Sequence, residues 1–224
     1  MSRELVLSFH GIGVPPPFVP EAEQPYWIRE NDFATFIASA ATQAQELAIT
    51  LVASFDDGNR SDRDVAAPLL KRHRIRGVFF PCTGRIGHPR YLGVEDIRAL
   101  EREGFEIGSH GIEHVPWTGL DGEALERETV GSKTALQEIL GRDVRSAALP
   151  FGAYNRRVLA ALRAAGYGTV YSSDTGLSQA GQWFRQRWTY RAEMPFEIGQ
   201  LAAISIAFRH RLVTASKNLI KSLR

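Results

Sequence analysis

Cysteine is nearly absent from this chain. A single one, Cys82, occurs in 224 residues, so no intrachain disulfide can form and a thiolate metal cluster has no partners to draw on. Set inside an apolar run, Cys82 is expected to be a small buried hydrophobe. An excess of charge of one sign is lacking as well: the formal net charge is +2, and the aromatic residues are not interleaved with basic ones, which argues against nucleic acid as a partner. Long hydrophobic runs are missing too. No segment approaches the roughly 18 apolar residues of a membrane span. The apolar run after Glu4 is only about five residues long, too short for a secretory signal core, and the sequence as written predicts a cytoplasmic protein. Repeats, low-complexity tracts and long polar linkers are also lacking. With 44% hydrophobic residues, the chain is expected to bury a sizeable core as one domain.

What is present starts with Leu51-Val-Ala-Ser-Phe-Asp-Asp-Gly58, an apolar run that rises to two adjacent carboxylates and stops on glycine. This pattern is a buried strand delivering acids to a loop rim, where parallel α/β proteins keep their chemistry. Two like charges so close require a cation or strong donors to hold them. A second stretch, Gly108-Ser-His-Gly-Ile-Glu-His114, supplies histidines four residues apart. A helical turn after the strand would place them on one face. One carboxylate and two such histidines form a three-ligand set that leaves a coordination position open, as in catalytic zinc sites.

These stretches resemble motifs of the polysaccharide deacetylases that share the NodB homology domain. Ser54-Phe55-Asp56-Asp57-Gly58 is similar to their Thr-Phe-Asp-Asp-Gly, His110-Gly111-Ile112-Glu113-His114 to their His-Ser/Thr-x-x-His, and Ala148-Leu149-Pro150-Phe151-Gly152 to their Arg-x-Pro-Tyr-Gly. Order and spacing agree from residue 5 to about residue 190. The resemblance implies an α/β fold, a distorted, incompletely closed (β/α)7-type barrel. It also implies a hydrolase that removes N-acetyl groups from an amino sugar, oligosaccharide or polysaccharide precursor. Asp57, His110 and His114 would hold a divalent metal, zinc first, with cobalt, nickel or manganese as alternatives. Asp56 would be the general base. A backbone N–H near Phe151 would stabilise the oxyanion, and Pro150, Phe151, Gly152 and Tyr154 would face the N-acetylated carbohydrate.

Alternating strands and helices fill the rest. Leu5–Phe9 is a first strand ending at His10, which is expected at the same mouth as Asp56, either as a structural histidine or as a substrate contact or proton donor. Pro15, Pro16, Pro17 and Pro20 force an extended loop suited to a groove wall. Helices are expected from Asn31 as a capping residue, over Arg60–Arg74 with a kink at Pro68, over Val94–Gly104, over Asp121–Leu140 with its acidic residues in solvent, and over Arg157–Ala165. Strands are expected over Arg76–Pro81, Phe105–Gly108, Val144–Leu149, Gly168–Ser173 and Trp183–Trp188.

Three departures from the family pattern stand out. Gly111 replaces a small hydroxyl residue. Ala148 replaces the arginine of the third motif, so Asp56 must be oriented by another group; Arg187 is the first candidate and Arg185 the second. The Leu-x-His motif that supplies a general acid is not found. The catalytic domain is assigned to residues 1–208 and a tail to 209–224. The tail carries Arg209, Arg211, Lys217, Lys221 and Arg224 opposite Leu212, Leu219, Ile220 and Leu223. Such a basic amphipathic helix either lies on an anionic membrane surface or packs on the barrel. Alternatives to the deacetylase reading are a catalytically impaired sugar-binding relic and a hydrolase of a non-sugar amide C–N bond.

Overall fold

The computed structural model describes residues 3–17, 19–192 and 197–206. The chain runs β1 (Arg3–Phe9), α1 (Glu30–Glu46), β2 (Thr50–Asp57), α2 (Ala67–His73), β3 (Arg76–Pro81), α3 (Val94–Arg102), β4 (Glu106–Ile107), α4 (Gly122–Glu126), α5 (Ser132–Leu140) and β5 (Ser146–Ala148). It continues through α6 (Arg156–Ala164), β6 (Thr169–Tyr171), β7 (Ser178–Gln179), β8 (Phe184–Arg185), β9 (Trp188–Thr189) and α7 (Ile198–Ile206). One sheet has the order β4-β3-β2-β1, all parallel, with β7 antiparallel on β1 and β9 parallel to it. A second parallel sheet has the order β5-β6-β8. Among the described residues a single bridge, Ser109 to Ala147, links the two. Among the described residues no ladder joins β8 to β9. The barrel is therefore distorted and incompletely closed.

Side-chain alternation explains how this sheet serves two cores. Leu5, Leu7 and Phe9 of β1, Ala53 and Phe55 of β2 and Phe79 of β3 face the helices and pack with Phe33 and Ile37 of α1, Leu70 of α2 and Leu100 of α3. Val6, Val52, Val78 and Phe80 face inward and meet Ala148 and Tyr171 from the second sheet. Aromatic rings tie the outer layer together. Phe55 stacks on Phe79 at 4.9 Å and on Phe9 at 5.4 Å, and Phe105 meets Phe79 edge-on at 5.3 Å. At the strand-start end of the barrel, buried Glu4 accepts from Arg76 and Arg185, both at 2.7 Å.

Several expected elements take a different form. Arg29 holds the cap position of α1 without a side-chain bond, and Asn31 lies inside the first turn. The helix expected over Arg60–Arg74 includes a π-helical turn, Asp62–Ala66, and Pro68 follows it directly as the second residue of α2, so the local widening comes where the proline lacks an N–H. The long helix after Asp121 is interrupted by a second π turn, Arg127–Gly131. The last expected strand divides into β8 and β9, because the chain changes sheets between Arg185 and Trp188. The tail assigned to residues 209–224 lies outside the described residues. No helix among the described residues is long and apolar enough to cross a membrane.

Phe55 has ring neighbours on both sides in a fully buried layer, so Phe55→Ala is expected to lower stability by about 3–5 kcal/mol. Urea denaturation measures this, and a loss within the error of extrapolation would show that the layer repacks.

Candidate active site

Strict alternation along β2 would send Asp56 inward with Ser54 and Asp57 outward toward the helices. The backbone prevents that at Asp57, which adopts φ 74°, and Gly58 comes next at φ 77°. Aspartate tolerates this left-handed conformation better than most residues. Its carboxylate swings back to the mouth beside Asp56. Gly58 is required twice, by its positive φ and because a Cβ there would sit 2.7 Å from that of Pro81.

The histidines do not share a helix face. After β4 the chain forms the Ser109 bridge and then a loop in which Gly111 has φ 81° and His114 φ 53°. Gly108, Gly111 and Pro116 disfavour a helix here. The N–H groups of Thr83 and Gly84 hold the carbonyls of Gly111 and Ile112 at 2.9 and 3.1 Å. The loop still brings the two rings together, with centroids 5.2 Å apart. His110 is buried, and its Nδ1 lies 3.0 Å from the Ala148 carbonyl oxygen. That contact fixes the ring and leaves Nε2 facing Asp57 Oδ1 at 3.9 Å. His114 Nε2 lies 3.2 Å from the same oxygen.

These residues fit a divalent cation. One donor atom from each of Asp57, His110 and His114 lies within 4.8 Å of the others, and tetrahedral ligands at ordinary zinc distances stand about 3.3 Å apart. Asp57 Oδ1 is buried and makes no hydrogen bond; Arg85 Nη1 lies 3.3 Å away without bonding to it, so the oxygen keeps a lone pair for a cation bound between the imidazoles. Burial pushes the His110 pKa down to about 4, so its imidazole is the neutral, ligating form near pH 7. Burial alone would raise the Asp57 pKa, but His114, His10, His110 and Arg85 outweigh it and hold the carboxyl below the usual range.

Asp56 has a different partner. Arg187, fully buried, donates to its two oxygens at 2.6 and 2.9 Å, and also to Ser54 Oγ and the Ser172 carbonyl. Burial raises the Asp56 pKa, but the guanidinium, aided by His110 and His10, holds the carboxyl well below the ordinary range. The second candidate, Arg185, is engaged by Glu4 away from the mouth. Asp62, buried nearby with neither oxygen hydrogen-bonded, is pushed well above the usual carboxylate range by burial and by Asp57 and Asp56.

A cavity of about 500 Å³ opens over this centre. His10, Asp56, Asp57, His110, His114 and Phe151 line it. His10 Nδ1 is buried without a hydrogen-bond partner, and its ring lies 5.0 Å from that of Tyr26. Phe151, 59% exposed with φ 56°, lies 4.5 Å from the His114 ring.

The family model for polysaccharide deacetylases matches residues 44–170. The chain belongs to the polysaccharide deacetylase family. It is 26% identical over 161 residues to YxkH of Bacillus subtilis (strain 168), covering 70% of this chain and 58% of that protein. A chitooligosaccharide deacetylase of Rhizobium leguminosarum bv. trifolii is 29% identical over 122 residues, 54% of each chain. The chain thus spans little more than half the length of these relatives. The deacetylase PplD of Streptococcus pyogenes, solved in complex with acetate, shares the fold at a TM-score of 0.74 and 19% identity, covering 86% of this chain and 94% of that one.

The stretch matching the polysaccharide deacetylase model contains both aspartates, both histidines and Phe151, whereas His10 and Arg187 lie outside it and are brought in by the fold. Of the residues expected to face substrate, only Phe151 lines the cavity. Pro150 and Gly152 are buried under the turn, and Tyr154 points inward, where its hydroxyl donates to Asp174 at 2.8 Å. Sequence reasoning missed Tyr26, Trp27, Ser173, Thr189 and Arg191 of the lining. Tyr26 and Trp27 follow the proline-rich loop, whose composition suits a groove wall. The other three lie at or beyond the ends of strands β6 and β9, and their approach depends on the open barrel.

Two outcomes are expected of this chain. The folded chain resists protonating His110 between its ordinary pKa of 6.5 and about 4, while the unfolded chain takes up that proton. Metal-free protein should therefore hold the full contribution above pH 6.5 and lose on the order of 3 kcal/mol as pH falls toward 4. Thermal melts of wild type and His110→Asn check this, with a shallower decline expected in the variant. Separately, Arg187→Leu strands a buried carboxylate and should cost about 3–5 kcal/mol, whereas Arg187→Lys, which lacks the two-pronged fork, should recover only part. Equal stability of the three proteins in urea would contradict the pairing.

Proposed function

We propose that this chain is a metal-dependent hydrolase that removes the N-acetyl group from an amino sugar within an oligosaccharide, polysaccharide or precursor. The observation that carries the reading is the convergence of Asp57, His110 and His114 around one buried carboxylate oxygen that makes no hydrogen bond, beside a second aspartate. Chitooligosaccharide and chitin deacetylases among the relatives support an acetamido sugar as substrate.

Asp57, His110 and His114 are the residues that would hold the metal. A divalent cation at such a site polarises a carbonyl oxygen and lowers the pKa of water. Asp56, ionised and fixed by Arg187, takes the proton from the attacking water. The backbone N–H of Phe151 donates to the oxyanion. His10, which lines the same cavity, delivers a proton to the departing amine, a role for which an Nδ1 without a hydrogen-bond partner suits it. The rings of Tyr26, Trp27 and Phe151 offer flat surfaces for a sugar.

Acetate release from a panel of N-acetylated sugars, by protein stripped with chelator and reloaded with zinc or cobalt, tests the proposal. Release is expected only after reloading. Asp56→Asn and His10→Gln should each bind metal yet lose about 10²–10⁴-fold in turnover. No release from any member by reloaded wild type, or unchanged turnover in Asp56→Asn, would contradict the assignment.

A further inference from the structure

The expected solvent-facing helix after Asp121 hides a buried acid. Glu128 lies in the π turn Arg127–Gly131 and is 1% exposed. Its Oε2 accepts from the Ile112 N–H at 2.8 Å and from Trp117 Nε1 at 3.4 Å, and the Glu113 N–H lies 3.3 Å from Oε1. The N–H groups of Ile112 and Glu113 belong to the backbone between the two histidines. On the other side of the loop, Thr83 and Gly84 hold the carbonyls. The loop is clamped from both edges, by donors on its carbonyls and by one carboxylate on its N–H groups.

A second chain of bonds tightens the clamp. Gly111 N–H donates to Ser109 Oγ at 3.1 Å, the Ser109 and Ser132 hydroxyls lie 2.6 Å apart, and Ser132 Oγ donates to the Glu128 carbonyl. The space is filled as completely as the bonds. A Cβ built on Gly111 would overlap Glu128 Oε2 and lie 3.2 Å from the Trp117 ring.

We propose that Glu128 is the positioning residue for the histidine loop, and that Gly111 answers two constraints at once, its positive φ and the Glu128 carboxylate that occupies the place of its side chain. The inference rests on the proposed metal site and adds to it a coupled pair that sets ligand geometry. Removing the carboxylate leaves N–H groups of Ile112 and Glu113 without an acceptor, so the loop relaxes. The imidazole nitrogens then lose their shared focus on Asp57 Oδ1.

Cobalt affinity, measured by competition with a chromophoric chelator and read together with the cobalt absorption spectrum, tests the pair. Supporting groups of this kind contribute about 10–100-fold to metal affinity, so Glu128→Ala should weaken binding by that much and alter the spectrum. Glu128→Gln, which keeps one acceptor oxygen and the side-chain shape, should fold as wild type and lose less. Gly111→Ala should also weaken binding. In Glu128→Ala/Gly111→Ala the losses should be smaller than the product of the single effects, because the first change opens the space the second needs. If Glu128→Ala does not fold, Glu128→Gln decides by the same readouts. Affinities within about twofold of wild type for the folded Glu128 variants, or losses that multiply in the double variant, would overturn the proposal. A wild-type chain that binds no cobalt would remove the metal site itself and this inference with it.

Discussion

Two carboxylates side by side in a barrel mouth repel one another, and the rest of this structure is arranged around relieving that repulsion. Asp56 and Asp57 are both buried, so water cannot screen them. The fold separates their solutions. Asp56 receives a guanidinium that binds both its oxygens, which uses up its demand for charge and fixes its direction. Asp57 receives two imidazoles and leaves Oδ1 without a hydrogen bond, which preserves its capacity to hold a cation. Adjacent residues of one type thus acquire unlike roles because different segments of the chain reach them.

That separation depends on a break in strand regularity. Were Asp57 to keep extended geometry, its carboxylate would enter the aromatic layer that contains Phe55 and Phe79, where no cation waits. The positive φ at Asp57 is stabilised by two neighbours: Gly58, which closes on Pro81, and the Cys82–Arg85 turn, whose N–H groups seize the histidine loop. The same few residues therefore turn one ligand inward and align the other two. Arg85, in that turn, lies 3.3 Å from Asp57 Oδ1 and adds positive charge to the site.

Most of the framework was legible from the chain. Continuous apolar runs placed β1, β2 and β3 nearly residue for residue, and the aspartates, histidines and Phe151 meet where strand ends were expected to converge. What was not legible has a common cause. His110 and His114 converge through a loop, since glycines and a proline override the helical spacing. Glu128 escaped because an amphipathic reading assigns acids to water; the available signal was that Thr129 and Ser132 occupy the buried face between Leu125 and Leu136. Small hydroxyl residues where large apolar ones are due leave room for a buried polar network. Tyr154 shows the reverse error: proximity in sequence to a rim motif does not carry a side chain to the rim when a partner, here Asp174, waits inside.

Arg185 and Arg187 are two residues apart and both turn into the barrel, yet one meets Glu4 near the strand starts and the other meets Asp56 at the mouth. The difference comes from the crossing between the two sheets. Arg185 is registered against Tyr171 of β6, whereas Trp188 and Thr189 are registered against Leu7 and Ser8 of β1. Arg187 sits in the gap, where the unclosed seam lets a long side chain pass from the edge of one sheet to the end of a central strand of the other. A continuous ladder from β8 into β9 would hold residues 184–189 to one sheet and take that path away. Incomplete closure is therefore not a defect of this barrel: it admits the arginine that Ala148 cannot supply, and with it the fixed, ionised Asp56 on which the proposed chemistry rests.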